Sequence, residues 1–332
     1  MDNLTHTLVG VMLSRAGLNR ISPRATPLLI LAANAPDIDA VAWAWSQERY
    51  LNYHRGFTHG FPLLLLVALL PVLIIGLLYR REFRPGPMLL ASAIGVSSHV
   101  LLDWTNIYGT RLLAPISPRW YALDITSVVD LWIWLVLLAC FLWPLLARLV
   151  SSEIGARPSS GRGTAVLALC FLLVYNGARY VLHQRAVDTL DARLHAGQTP
   201  RRVAAFPTIA NPFAWYGLAE VENAYVLYRL NLLGDFDPAG GRVLYQSQAN
   251  EVLSAARVMP AFRTFLDFSR FPLWRVVSLP EPEGGQQAEC VDLRFGVPGE
   301  GRFTAMAVLD SGGRVKQSWF QFGAPRGRIA IR

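Results

Sequence analysis

The chain has 332 residues, of which 53% are hydrophobic and 16% charged, with a formal net charge of +8. That balance excludes an ordinary soluble globular protein and fits a membrane protein carrying an appendage. The positive charge is almost all arginine, Lys316 being the sole lysine, and it lies in short segments beside apolar ones; this is the pattern of topology signals, and no nucleic-acid partner is expected.

In chain order, residues 3–18 place Leu4, Leu8, Val11 and Met12 at helical spacing, and the helix is predicted to stop at Gly17 before the polar 19–24 turn. Residues 25–45 are apolar except for Asn34-Ala35-Pro36-Asp37-Ile38-Asp39, and a break of this kind at membrane depth is tolerated where it lines a cavity. Residues 61–79 carry no charge and suit a hydrocarbon thickness of roughly 30 Å. Further spans are predicted at 87–108, 128–149 and 164–182, making six helices if the first and the broken one both cross. The N-terminus lacks the basic start of a cleaved signal peptide and is expected to be kept.

Alternating these spans puts Arg15, Arg20, Arg24, Arg80, Arg81, Arg84, Arg148, Arg157 and Arg162 on one side and Arg49, Arg55, Arg111 and Arg119 on the other, nine against four. The richer side is then cytoplasmic. The expected location is a bacterial inner membrane, with the N-terminus, the 45–60 loop, the end of the fourth helix and the C-terminal region all facing outward. Cys140, Cys170 and Cys290 form no framework, and no structural disulfide is predicted.

After residue 183 the composition changes. An exposed linker helix is expected over 184–198, with a separate, small, mostly antiparallel β (α+β) extramembrane domain over 199–332. Strands are read at 224–232, 241–246, 273–279, 290–295 and 303–309, with a hairpin turn at Asp310-Ser311-Gly312-Gly313 leading to 315–322 and a helix near 250–259. The fold class is thus an α-helical multi-pass bundle followed by a β-rich region.

Four of the six histidines, His6, His54, His59 and His99, fall in the first third of the chain. His99 and Asp103, four residues apart in a segment apolar enough for a bilayer, occupy one helix face. Ionisable groups at that depth are costly unless paired, hydrated or bound to a cation. The pair therefore reads as metal ligands, as a hydrogen-bonded structural pair, or as a proton relay. His54-Arg55-Gly56-Phe57-Thr58-His59 sets two imidazoles five apart, with Gly56 permitting a turn that aims both inward; the alternative is a polar loop with two surface histidines. Asp37 and Asp39 alternate after Pro36, and both cannot be buried and ionised without a cation or donors, although acids after a proline also suit a helix start. His6 alone would be a core histidine; its place near the start of the chain, at the level of the others, adds it to the candidates. Asp130 reads as orienting a ligand histidine or as a helix-start acid, and Trp43, Trp45, Trp132 and Trp134 read as an interfacial belt.

His6-Thr7, Asn34-Ala35-Pro36-Asp37-Ile38-Asp39, His54-Arg55-Gly56-Phe57-Thr58-His59-Gly60 and Ser98-His99-Val100-Leu101-Leu102-Asp103, in this order, resemble the YdjM-like family of inner-membrane metal-dependent hydrolases over about residues 1–182. The resemblance implies a multi-pass bacterial membrane enzyme with a metal site at His54, His59, His99 and Asp103, and at Asp37 and Asp39. It implies nothing for the region beyond residue 199.

The expected activity is a membrane-embedded, metal-dependent hydrolase acting on a lipid or lipid-linked phosphoester or amide at the outer leaflet. One or two divalent ions, zinc or else manganese, would be the cofactor. Whichever of Asp37 and Asp39 is not a ligand would be general base, and Arg55 would neutralise a phosphate. The lipid bilayer and a lipid-like substrate are the expected partners. A transporter or ion-conducting protein using the same cluster is the rival reading, and a haem-bearing or structural-metal scaffold a third.

Overall fold

The computed structural model describes residues 1–154, 160–280, 284–299 and 303–323. Arg157, one of the nine arginines assigned to the cytoplasmic side, lies outside them. The first half is helical: α1 (Asn3–Ala16), α2 (Ala25–Asn34), α3 (Gln47–Tyr53), α4 (Leu64–Leu78), α5 (Pro85–Thr105), α6 (Leu131–Ile154) and α7 (Arg162–Asp191). Among the described residues four stretches are long and apolar enough to cross a membrane, Phe61–Leu78, Pro85–Thr105, Leu131–Leu149 and Arg162–Asp191. These correspond to the four later spans expected from sequence.

The two N-terminal helices are shorter. α1 has 14 residues, about 21 Å of helix at 1.5 Å per residue. Asp2 caps its start, accepting from the Thr5 amide at 3.0 Å, and Gly17 closes its end at φ 151°. α2 has 10 residues and gives way at Pro36 to a 3-10 segment, Ala35–Ala44. Proline has no amide hydrogen to continue the helical ladder, so the six expected crossings become four long spans and a short antiparallel pair. A 3-10 run of this length is uncommon, and such runs accompany strain or function.

α2 also packs closely against α5. A Cβ added at Gly95 would lie 2.8 Å from the Ala32 Cβ. That close approach sets the last turns of α5 beside the end of α2 and the 3-10 segment that follows it.

Among the described residues the second half holds two antiparallel sheets of four strands each, in sequence order. The first contains β1 (Arg202–Pro207), β2 (Ala214–Glu220), β3 (Ala224–Asn231) and β4 (Arg242–Tyr245); the second contains β5 (Pro272–Ser278), β6 (Gln286–Asp292), β7 (Phe303–Leu309) and β8 (Val315–Phe322). Between them lie α8 (Glu251–Arg257) and α9 (Pro260–Phe268). The β7–β8 turn is closed by the Gly313 amide donating to the Asp310 carbonyl at 2.9 Å, as the Asp-Ser-Gly-Gly signal indicates.

Three local expectations change. The segment expected as a separate linker helix continues the last span: α7 runs unbroken to Asp191, because no Gly or Pro occurs between Leu182 and Asp191, and Ala186 and Leu190 bury against the first sheet. β1 and β2 were not signalled, being rich in alanine, which has little strand preference. The helix expected near 250–259 is present as α8, and a second helix, α9, that was not expected follows it from Pro260. The β region also shares a core with the helical half: Leu51 of α3 and Tyr108, just after α5, lie in one buried cluster with Phe262, Phe265, Phe268 and Phe303.

Candidate metal centre

α5 presents His99 and Asp103 one turn apart on its buried face, and both are fully buried. The His99 Nδ1 lies 2.7 Å from the Ala33 carbonyl oxygen at the end of α2. A carbonyl only accepts, so Nδ1 carries the ring proton and the Nε2 lone pair faces the other way. His59, also fully buried, is set the same way: Thr58 Oγ1 donates to Asp39 Oδ2 at 2.6 Å, and the His59 Nδ1 then lies 3.0 Å from that hydroxyl oxygen and 3.3 Å from Asp39 Oδ2. Both acceptors call for a proton on Nδ1, which leaves the His59 Nε2 lone pair directed inward.

The two Nε2 atoms meet at 3.1 Å. With both rings neutral, neither has a proton to share. His59 Nε2 is 3.2 Å from Asp103 Oδ2 and 3.6 Å from Asp37 Oδ1; His99 Nε2 is 3.6 Å from each of the same oxygens. Four donors at bond lengths of about 2.0–2.1 Å around a tetrahedral ion are separated by about 3.3–3.4 Å. The five separations among His59, His99, Asp37 and Asp103, 3.1–3.6 Å, and their donor chemistry suit a tetrahedral ligand shell, and the four are one of the groups able to hold an ion. Two facing lone pairs and two carboxylates are mutually repulsive; the Met1 amino terminus and the Arg55 guanidinium offset part of this at Asp103, and a divalent cation at the centre would remove the rest.

Asp39 belongs to the supporting layer. Its Oδ2 accepts from the Arg55 amide at 2.9 Å and from Thr58, and its Oδ1 lies 2.8 Å from His54 Nδ1. An Asp–His–ion relay of this form fixes the ligand's tautomer and ring angle. His54 stacks on Tyr50 and, with Asp37 and Asp39, makes a second group close enough to hold an ion. Burial pushes the His54 imidazole below its ordinary pKa, against the opposing pull of Asp39. His6 lies at the rim of the first group, stacked on His99 at 3.7 Å with Nε2 3.4 Å from Asp103 Oδ1, and neither of its nitrogens has a hydrogen-bond partner.

The turn that brings His54 and His59 inward is made differently from expectation. Arg55, not Gly56, takes the left-handed conformation, at φ 57°. Gly56 is needed for room, since a Cβ there would lie 2.8 Å from the Tyr53 carbonyl oxygen. Arg55 itself is buried. Its Nε is 3.0 Å from Asp103 Oδ2, an ion-pair distance without hydrogen-bond alignment, and its Nη1 donates to Asn106 Oδ1 at 3.0 Å and the Gly109 carbonyl at 3.2 Å. The guanidinium is thus committed to Asp103 and its neighbours.

All seven candidate ligands, His6, Asp37, Asp39, His54, His59, His99 and Asp103, meet at one end of the helical bundle. Thr58, Asn106 and the Ala33 carbonyl, not singled out from sequence, complete the support. Thr58 lies inside the His54–His59 motif and Asn106 three residues after Asp103, but only proximity in space assigns them. Asp130 is elsewhere, accepting from Tyr175 and from the first amides of α6. Trp132 and Trp134 donate to Ala210 O and to Asp2 and Thr5.

A family model described as YdjM inner membrane protein matches residues 1–186. The chain is also similar to the uncharacterized protein YfhP of Bacillus subtilis (strain 168), at 26% identity over 96% of this chain and 94% of that protein. No solved structure matches. The matched region takes in α1 to α5 and every residue of the His/Asp cluster; the chain belongs to the YdjM inner membrane protein family.

Proposed function

We propose that this protein is a membrane-embedded, metal-dependent hydrolase acting on a lipid or lipid-linked phosphoester or amide at the outer leaflet. The observation that carries the reading is the pair of inward-facing Nε2 lone pairs of His59 and His99, 3.1 Å apart and flanked by Asp37 and Asp103. A divalent ion, zinc or manganese, held by these four supplies Lewis acidity toward the scissile phosphoryl or carbonyl group. The second group, Asp37, Asp39 and His54, offers room for a further ion.

The chain's own residues divide the remaining work. Asp37 has a 10% exposed side chain where those of His59, His99 and Asp103 have none, so water and substrate would approach past Asp37. Asp39 holds the His59 ring through Nδ1. Arg55 balances the Asp103 carboxylate in place of the substrate phosphate. Substrate class follows from the surroundings: Ile38, Val41 and Phe57, on the elements that carry Asp37 and His59, and Trp45 and Phe61, one and two residues beyond them, are exposed. Large apolar side chains beside a polar site favour an amphipathic substrate.

Protein purified without chelator is expected to contain near-stoichiometric zinc or manganese by elemental analysis, and His99→Ala to lose it. With bilayer lipids as substrate, it is expected to release headgroup or acyl product in a metal-dependent manner. Metal-free wild-type protein would sink the metal reading. Metal-dependent ion flux in liposomes, with no product formed, would replace hydrolysis by transport.

A further inference from the structure

Arg294 follows β6 in the region beyond the family match and is buried, yet two of its contacts reach back 187 and 186 residues. Its Nη1 donates to the Ile107 carbonyl at 2.9 Å and the Tyr108 carbonyl at 3.2 Å. Its Nη2 donates to the Phe268 carbonyl at 3.0 Å, and Asp292 neutralises its charge through Nε and Nη2 at 2.9 and 2.6 Å. A buried guanidinium that joins three backbone carbonyls fixes the position of the chain segments they belong to.

The segment it holds is the one that grips Arg55. Asn106 Oδ1 accepts both from Arg55 Nη1 and from the Tyr108 amide at 2.9 Å, so the Tyr108 backbone and the Arg55 side chain share one acceptor. The Gly109 carbonyl takes the same Nη1, and the Tyr108 ring lies under the guanidinium at 4.7 Å. Arg55 in turn meets Asp103 Oδ2, the oxygen 3.2 Å from His59 Nε2. Phe268 and Phe303 pack on the far side of Tyr108 at 4.7 and 5.8 Å, which leaves the segment little freedom to shift.

We propose that the C-terminal β region is a working part of the metal centre: Arg294, by holding the Ile107 and Tyr108 carbonyls, positions Arg55 and thereby fixes the Asp103 carboxylate oxygen that faces the ion. Arg294 is a positioning residue, and the inference rests on the metal reading above. Partners in this supporting layer typically change metal affinity by about 10–100-fold when altered.

The test measures zinc affinity of the full-length protein in detergent by competition with a chromophoric chelator, alongside thermal unfolding. Arg294→Lys keeps the charge beside Asp292 but cannot span three carbonyls, and it is expected to bind zinc about tenfold more weakly or worse. Arg202→Met is the control: it breaks contacts to Glu220 and the Arg270 carbonyl within the β region and is expected to keep wild-type affinity. In an Arg55→Met background the lysine change is expected to add no further loss, because the link it acts through is already cut. Wild-type affinity in Arg294→Lys, equal losses in both β-region variants, or fully additive losses with Arg55→Met would each overturn the proposal while leaving the metal site standing. A wild-type protein that binds no divalent ion would overturn the metal reading and this inference together.

Discussion

At His99 the use of one ring nitrogen decides the use of the other. Nδ1 is held by the Ala33 carbonyl, so Nε2 is left as a donor of electrons toward His59, Asp37 and Asp103. The same logic makes Thr58 the most informative single residue near the site, since its hydroxyl bridges Asp39 and His59 Nδ1. Thr58→Val keeps the shape and removes the bridge. Zinc affinity is expected to fall by about tenfold, within the usual range for an outer-layer partner, with little change in thermal stability. Unaltered affinity in a chelator competition would show that the His59 ring is oriented by packing alone.

Elements are placed by close approaches that small residues allow. α5 brings His99 to the Ala33 carbonyl only because Gly95 lets its backbone lie against Ala32. Gly95→Ala forces a methyl group to within 2.8 Å of the Ala32 Cβ, and overpacking of this kind costs about 1–3 kcal/mol. The expected outcome is a lowered thermal midpoint together with weaker metal binding, because His99 moves with its helix. A stability loss without any change in metal binding would mean that the α2–α5 contact does not set the site. The 3-10 segment Ala35–Ala44 is the second such device. Its tighter winding puts Asp37 and Asp39 on different partners, the first toward His59 and His99 and the second toward His54 and Thr58.

Over the whole molecule, the two halves distinguished by composition are joined at the site. Leu51, Tyr108 and the phenylalanines of α9 and β7 form one buried cluster, and Trp120 packs against it. A chain ending at residue 198 would leave Leu51, Tyr108 and Trp120 without cover. Its thermal midpoint in detergent is expected to fall and proteolysis in the 106–126 stretch to accelerate. An intact, equally stable helical half would mark the β region as an independent appendage.

Much of this protein was legible from residue order alone. Apolar run length specifies the four long spans, because hydrocarbon thickness imposes a minimum on every helix that crosses it. Ionisable groups inside or beside those runs identify the seven candidate ligands, since each is too costly there without a partner. The continuation of α7 to Asp191 is also written in the sequence, which has no breaker there even though its composition changes at 183. Tertiary structure alone decided which candidate ligands lie within reach of one another, which oxygen of Asp39 supports His59, and that Arg55 faces Asp103. These are outcomes of contacts between segments far apart in the chain, and local spacing carries no information about distance across a packed bundle.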